Sequence, residues 1–302
     1  MVEHRLEPTV DTVTDVFDRD RAPVLTVDPG DTLTVRSLNA SGHLAKDIHG
    51  LKLIPEPKGH CLTGPIAVRG AEPGMALAIR LESLQPDDWG FTVAAVRDNA
   101  LNRRLGVVPG EPVELTWDIA DGKAVNQLGF EVRLAPFLGV IGLTPAEPGP
   151  HSTVPPRPCG GNIDCRELVA GSTLFLPVTV PEALLCLGDG HGAQGDGEVS
   201  GTAVECGMTT RLMVDLVREP AIRTAHAITP AGKITFGFDS DLNEAAAQAL
   251  SAMLDWMAVG YGVDRTTALA LASTVVDLRI TQVANQTWGV HAVLPDGALT
   301  SA

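Results

Sequence analysis

Between Met75 and Ser83 the apolar residues Met75, Leu77, Ile79 and Leu81 alternate with Ala76, Ala78, Arg80 and Glu82. This is the period-two pattern of a strand with one face buried. Strand-like runs recur at Val24 to Val27, Thr32 to Ser37, Val113 to Asp118, Phe130 to Leu134, Thr173 to Val180 and Met208 to Val217. Glycine and proline punctuate them, and their number and spacing predict a β sandwich or barrel-like core. The texture changes near Asp239. Asp241 stands three residues before Glu244, the spacing of a capping box, and Leu242, Ala245, Ala246, Ala249, Leu250, Met253, Leu254 and Met257 follow at helical spacing. A helix is expected from there to about Gly260, with core packing as the role of its stripe. A second helix is expected from Asp264 to about Asp277, followed by a strand-like segment from Leu278 to Val293. The expected fold is therefore mostly β with a few helices, two of them in the C-terminal third, at the margin of the α+β class.

Residues 144–158 are too rich in proline for a regular strand or helix and read as a long connection. It serves either function or the joining of two β subregions. At 302 residues the chain is long enough for a substantial core, and a single domain over 1–302 is the expected organisation.

The densest chemistry lies between Gly188 and Glu205, where Asp189, His191, Glu198 and Glu205 stand among glycines. Glycine at that density allows sharp turns and close approach to a ligand. In an extended chain Asp189 and His191 point to one side, offering a carboxylate and an imidazole to a divalent metal. Glu198 is the first later side chain able to face the same point. Glu205 lies seven positions beyond Glu198, so a regular strand turns it to the opposite face; only a bulge, with Gly201 the natural place, reunites them. The plainer alternative is a turn carrying solvated acids. Further ligands are available in His43, Asp47, His49 and His60. Asn162 and Asp164, in a small-residue turn, suit the orientation of a polar substrate or the support of a metal-bound histidine.

Composition narrows the partners. Asp and Glu number 37 against 22 Lys and Arg, a formal charge of -15 that repels nucleic acid and anionic membranes. No run approaches the roughly 20 apolar residues of a bilayer span. The polar, acidic start MVEHRLEPTVDTVTD shows no secretory signal, so a soluble cytoplasmic protein is expected. The five cysteines, Cys61, Cys159, Cys165, Cys186 and Cys206, form no CxxC pair and read as reduced, buried thiols rather than nucleophiles.

Several segments together resemble the acetamidase/formamidase family: 64–74 (GPIAVRGAEPG), 136–142 (PFLGVIG), 160–164 (GGNID), 171–178 (GSTLFLPV), 188–191 (GDGH) with 195–199 (GDGEV), 241–244 (DLNE) and 277–282 (DLRITQ). They occur in the family's order, from about Thr26 to Pro295. The resemblance implies a mostly β fold, hydrolysis of short linear amides with release of ammonia, a divalent metal such as zinc, with calcium as an additional or alternative ion, and a homodimer or other homo-oligomer. It places Asp189 and His191 at the family's G-D-x-H pair, Glu198 at its G-E position, Asn162 and Asp164 in its G-G-N-x-D turn, and His60 at a histidine that some members carry before G-P. Asp189, His191 and His60 are then the expected metal ligands, Glu198 the proton-transferring carboxylate or a ligand, and Asn162 and Asp164 the substrate contacts. Met75 replaces the acid of the family's G-A-E-P-G-D motif, and Gly190 replaces a bulkier residue. No G-x-S-x-G elbow is present, which argues against a serine nucleophile. Two rival readings are a metal- or sugar-binding β module holding calcium through oxygens, and a metal-dependent hydrolase or lyase of another carbonyl compound.

Overall fold

The computed structural model describes residues 2–95, 100–107 and 112–300. Its frame is a pair of long antiparallel strands, Ala76–Ala94 and Glu205–Val217, matched from Ala76 against Val217 to Phe91 against Glu205. Strand Thr32–Ser37 adds to Glu205–Val217 and is itself joined in parallel by Glu3–Leu6. Strand Ala76–Ala94 takes Thr173–Pro177 along its first half and Val113–Ala120 along its second. From Thr173–Pro177 the ladder runs on antiparallel through His226–Thr229, Gly232–Asp239, Trp288–Leu294 and Asp277–Gln282. The strands do not close into a barrel, and the fold is mostly β as expected.

In Ala76–Ala94 the expected alternation is present, with Leu77, Ile79 and Leu81 fully buried and Arg80 and Glu82 exposed. The strand extends eleven residues beyond the predicted Ser83, because Pro86 is accommodated opposite Met208, where the register shifts. Proline is tolerated in a sheet at such irregularities. The segment expected as one strand from Leu278 to Val293 is instead a hairpin of Asp277–Gln282 and Trp288–Leu294.

The two C-terminal helices, Leu242–Tyr261 and Arg265–Val275, begin where the capping signals place them. Asp241 accepts from the Asn243 N–H, and Asp264 from those of Thr266 and Thr267. The stripe Ala245, Ala249, Met253, Leu254 and Met257 is buried against Val290, Ala292 and Leu294 of the sheet. A short helix, Ala100–Arg104, completes the helical content of the described residues. Among those residues no helix is long and apolar enough to cross a membrane.

Strand Leu185–His191 is buried along its whole length. Phe137–Gly142 flanks it on one edge, while Leu62–Val68 and the first residues of Glu205–Val217 flank it on the other. This strand carries Asp189 and His191.

Candidate active site

The register that pairs Leu138 with Gly190 and Val140 with Gly188 leaves Gly139 facing Asp189. A Cβ at Gly139 would stand 2.5 Å from Asp189 Oδ2 and 2.8 Å from both Asp164 Oδ1 and His191 Cε1. Such distances are impossible for real side chains, so only glycine lets these three groups converge. The Gly139 carbonyl also accepts the N–H groups of Ile163 and Asp164, which fixes the Asp164 turn beneath the site. Gly190 is constrained as well, because a Cβ there would meet the Cys206 carbonyl oxygen at 2.6 Å. The residue between Asp189 and His191 therefore has no room for a side chain.

Two groups of potential ligands share one imidazole: Asp189, His191 and Glu205, and Asp164, His191 and Glu198. All five residues are at most 7% exposed. His191 Nε2 lies 3.5 Å from Asp189 Oδ1 and 3.4 Å from Glu205 Oε1. Neither contact has the alignment of a hydrogen bond, and Nε2, Asp189 Oδ1, Glu205 Oε2 and both Asp164 oxygens lack hydrogen-bond partners. Three of the acids, Asp164, Asp189 and Glu198, hold left-handed backbone with φ of 54°, 58° and 43°. Non-glycine residues in that region are uncommon and cluster where function over-determines the geometry.

The proton positions on His191 follow from its neighbours. Gln194 donates from its amide nitrogen to the Asp164 carbonyl, so its Oε1, 2.8 Å from His191 Nδ1, must accept. Nδ1 therefore carries hydrogen, and Nε2 faces the carboxylates either protonated or ligating a cation. Burial opposes a charge on His191, but the charges of Glu205 and Asp189 outweigh it and raise its pKa well above the ordinary value. Burial, reinforced by the other acids, raises Asp164, Glu198 and Glu205. For Asp189 burial acts in the same direction, yet the charges of His60 and His191 overcome it and lower its pKa. Buried carboxylates with unpartnered oxygens, converging on an imidazole nitrogen that also lacks a partner, form a ligand set that fits a divalent cation.

A cavity of about 280 Å³ opens onto this cluster, with Asp189, Glu198, Glu205, His60, Asn162 and Phe91 in its lining. Asn162 Oδ1 is buried without a partner.

Comparison with known proteins matches the profile of the acetamidase/formamidase family over residues 3–152 and 146–295. The chain belongs to the acetamidase/formamidase family. Formamidase from Methylophilus methylotrophus is 26% identical, over 60% of this chain and 58% of its own length. Acetamidase from Mycolicibacterium smegmatis is 27% identical, over 58% of this chain and 57% of its own. The chain thus spans little more than half the length of the curated relatives it matches. The crystal structure of an acetamidase from Bacillus halodurans superposes with a TM-score of 0.86 at 27% identity, covering 95% of this chain and 96% of that one.

Within this family member, the structure brings Asp189, His191, Glu198 and Asp164 together and places Asn162 in the cavity wall. His60 stands at the edge, its Nε2 3.9 Å from Asp189 Oδ2. The Pro-rich connection reaches this histidine, since Thr153 Oγ1 accepts from the His60 backbone N–H and lies 3.0 Å from its Nδ1. Three other candidates lie in neither ligand group. His43 bonds Asn39 and packs on Phe91, while Asp47 and His49 are exposed on an excursion closed by the bridge between His43 and Lys52.

For Glu205 the irregular alternative is the one that occurs. A regular strand would turn it away, but the chain from Glu198 to Gly201 is a turn closed by the Gly201 N–H on the Glu198 carbonyl, with Gly201 at φ 85°. Face counting fails there, and Glu205 pairs directly with His191. Neither Gly139 nor Gln194 is marked in the sequence by periodicity or by a metal-ligating side chain. Met75 packs against the main core and takes no part in the cavity wall.

All five cysteines are buried and free. Burial pushes the thiols of Cys61 and Cys186 up to about 12 and that of Cys159 to about 11, and Cys165 and Cys206 are raised as well. Thiols so protonated are poor nucleophiles. Native protein treated with iodoacetamide at neutral pH is expected to keep its hydrolytic rate within about twofold, since only the thiolate reacts. Inactivation in step with alkylation of a single cysteine would contradict this.

Proposed function

We propose that the protein hydrolyses the C–N bond of a small linear amide, giving a carboxylate and ammonia by attack of a metal-activated water. The observation that carries this reading is the His191 Nε2 set among buried carboxylates, several of whose oxygens have no hydrogen-bond donor, at the floor of a small cavity. Family membership supports the reaction class. Asp189, His191 and Glu205 are the proposed metal ligands, with His60 beside Asp189 as the remaining one. A divalent ion held there, zinc in the first instance, would supply Lewis acidity that polarises a carbonyl and acidifies water. The oxygen-rich remainder of the set also suits calcium as an additional or alternative ion.

The chain's own residues supply the rest. Burial and the Asp164 charge raise the proton affinity of Glu198. A carboxylate tuned in this way can take a proton from water and return it to the departing nitrogen. Asn162 Oδ1, an acceptor without a donor, suits an N–H of the substrate carboxamide. The cavity lies just below the usual range of about 300–1,000 Å³ for small-molecule pockets, consistent with a short acyl group.

A screen of ammonia release over formamide, acetamide and longer linear amides, with cyclic amides followed by the ring-opened amino acid and esters by acid release, tests the assignment. The expected result is preferential turnover of short linear amides. Turnover confined to cyclic amides or esters would reject it.

A further inference from the structure

A second cluster lies outside the catalytic cavity, where Cys165, Glu167 and His291 bring one sulfur, one oxygen and one nitrogen within 4.8 Å of one another. From its geometry we propose that it is a second, structural metal site for zinc or a similar transition metal, distinct from the one at His191. Cys165 and His291 are fully buried and Glu167 is 8% exposed. Cys165 Sγ lies 3.3 Å from Glu167 Oε2, and His291 Nε2 lies 3.2 Å from the same oxygen. Tetrahedral zinc, with sulfur at about 2.3 Å and nitrogen or oxygen at about 2.0 Å, separates its ligand atoms by roughly 3.3–3.5 Å.

The orientation of His291 distinguishes a metal site from a simple hydrogen-bonded network. Despite its short distance to Glu167, Nε2 lacks the alignment of a hydrogen bond and is otherwise unpartnered. It shares this feature with His191 Nε2 in the catalytic cluster. In both places a buried ring nitrogen stands beside a carboxylate without a hydrogen bond to it.

The surroundings also match. Thr281 Oγ1 lies 2.8 Å from His291 Nδ1, and Arg279 donates to Glu167 Oε1 at 2.9 Å. Metal-bound histidines and carboxylates are ordinarily held by such outer contacts, which leave Nε2 free to ligate and Oε2 shared only with the Cys165 thiol, whose proton a metal would displace.

The site connects two parts of the fold. Cys165 and Glu167 follow directly on Asp164, while His291 and Arg279 belong to the hairpin of Asp277–Gln282 and Trp288–Leu294. That hairpin also holds the Glu198 turn, since the Gly197 N–H donates to the Thr281 carbonyl and the Val283 N–H to that of Gly197. An ion here would fix both acid-bearing turns to one hairpin.

Cobalt distinguishes the two sites, because the catalytic ligand groups contain no sulfur. The full chain is produced in cobalt-supplemented minimal medium, so that a buried site fills during folding. We expect a near-ultraviolet thiolate-to-cobalt charge-transfer band in the wild-type protein and in His191→Ala. Cys165→Ser should lose that band and one metal equivalent per chain. Wild-type protein that binds cobalt without a thiolate band overturns the proposal, whether or not Cys165→Ser folds. A band that survives in Cys165→Ser overturns it equally.

Discussion

Replacing Glu198 with glutamine is expected to leave bound metal and substrate affinity nearly intact while lowering ammonia release by about 10²- to 10⁴-fold, the usual worth of general acid-base catalysis. Glutamine keeps the size of the side chain and an oxygen donor but cannot carry a proton. Glu198 is 7% exposed beside Asp164, and both burial and that neighbour raise its proton affinity. The left-handed backbone at Glu198, φ 43°, is held by the anchoring of Gly197 to the Thr281 carbonyl, and no part of that anchor changes in the variant. Glu205→Gln is the informative comparison. Glu205 Oε1 is 3.4 Å from His191 Nε2 and accepts the Ala203 N–H, so it is placed as a ligand, and its loss should lower metal content together with rate. Metal loss in Glu198→Gln would move that residue into the ligand set. Near-normal turnover in the metal-replete variant would remove it from proton transfer.

Gly139→Ala is expected to abolish metal binding and lower turnover at least about 100-fold, the scale of a misplacement of about 1 Å in a catalytic constellation. The added methyl carbon would stand 2.5 Å from Asp189 Oδ2, and both Asp164 and His191 would have to withdraw. Strand residues around it are fully buried, so overpacking should also destabilise the fold by about 1–3 kcal/mol. Thermal melting of the same sample separates the two effects. A folded Gly139→Ala protein with normal metal content and rate would show that the convergence of these three groups is not required.

Legibility of the sequence depended on how each strand is buried. Residues 75–83 alternate because one face is buried and the other exposed, and the helices at 242–261 and 265–275 announce themselves by their caps and apolar stripes. The strands Leu62–Val68, Phe137–Gly142 and Leu185–His191 are buried on both faces and show no alternation, so periodicity is silent where the site is built. Asp189 and His191 were still visible as a spaced pair among glycines. For Glu205 parity counting left two faces open, and the turn from Glu198 to Gly201 decides between them. His43, Asp47 and His49 were plausible ligands by type and proximity in sequence, but the fold directs them elsewhere. Gly139 carries no side chain to attract notice, and its role exists only through what surrounds it. The family resemblance covered what periodicity did not, through motifs that bring residues 137–142, 160–164 and 188–191 to one place.

The most direct test measures metal stoichiometry and the initial rate of ammonia release on one preparation, before exhaustive chelation, after it, and after return of zinc. Rate and bound metal are expected to fall together and recover together, with His191→Ala failing to recover because the imidazole common to both ligand groups is gone. Full ammonia release by folded, metal-free protein would contradict the central claim.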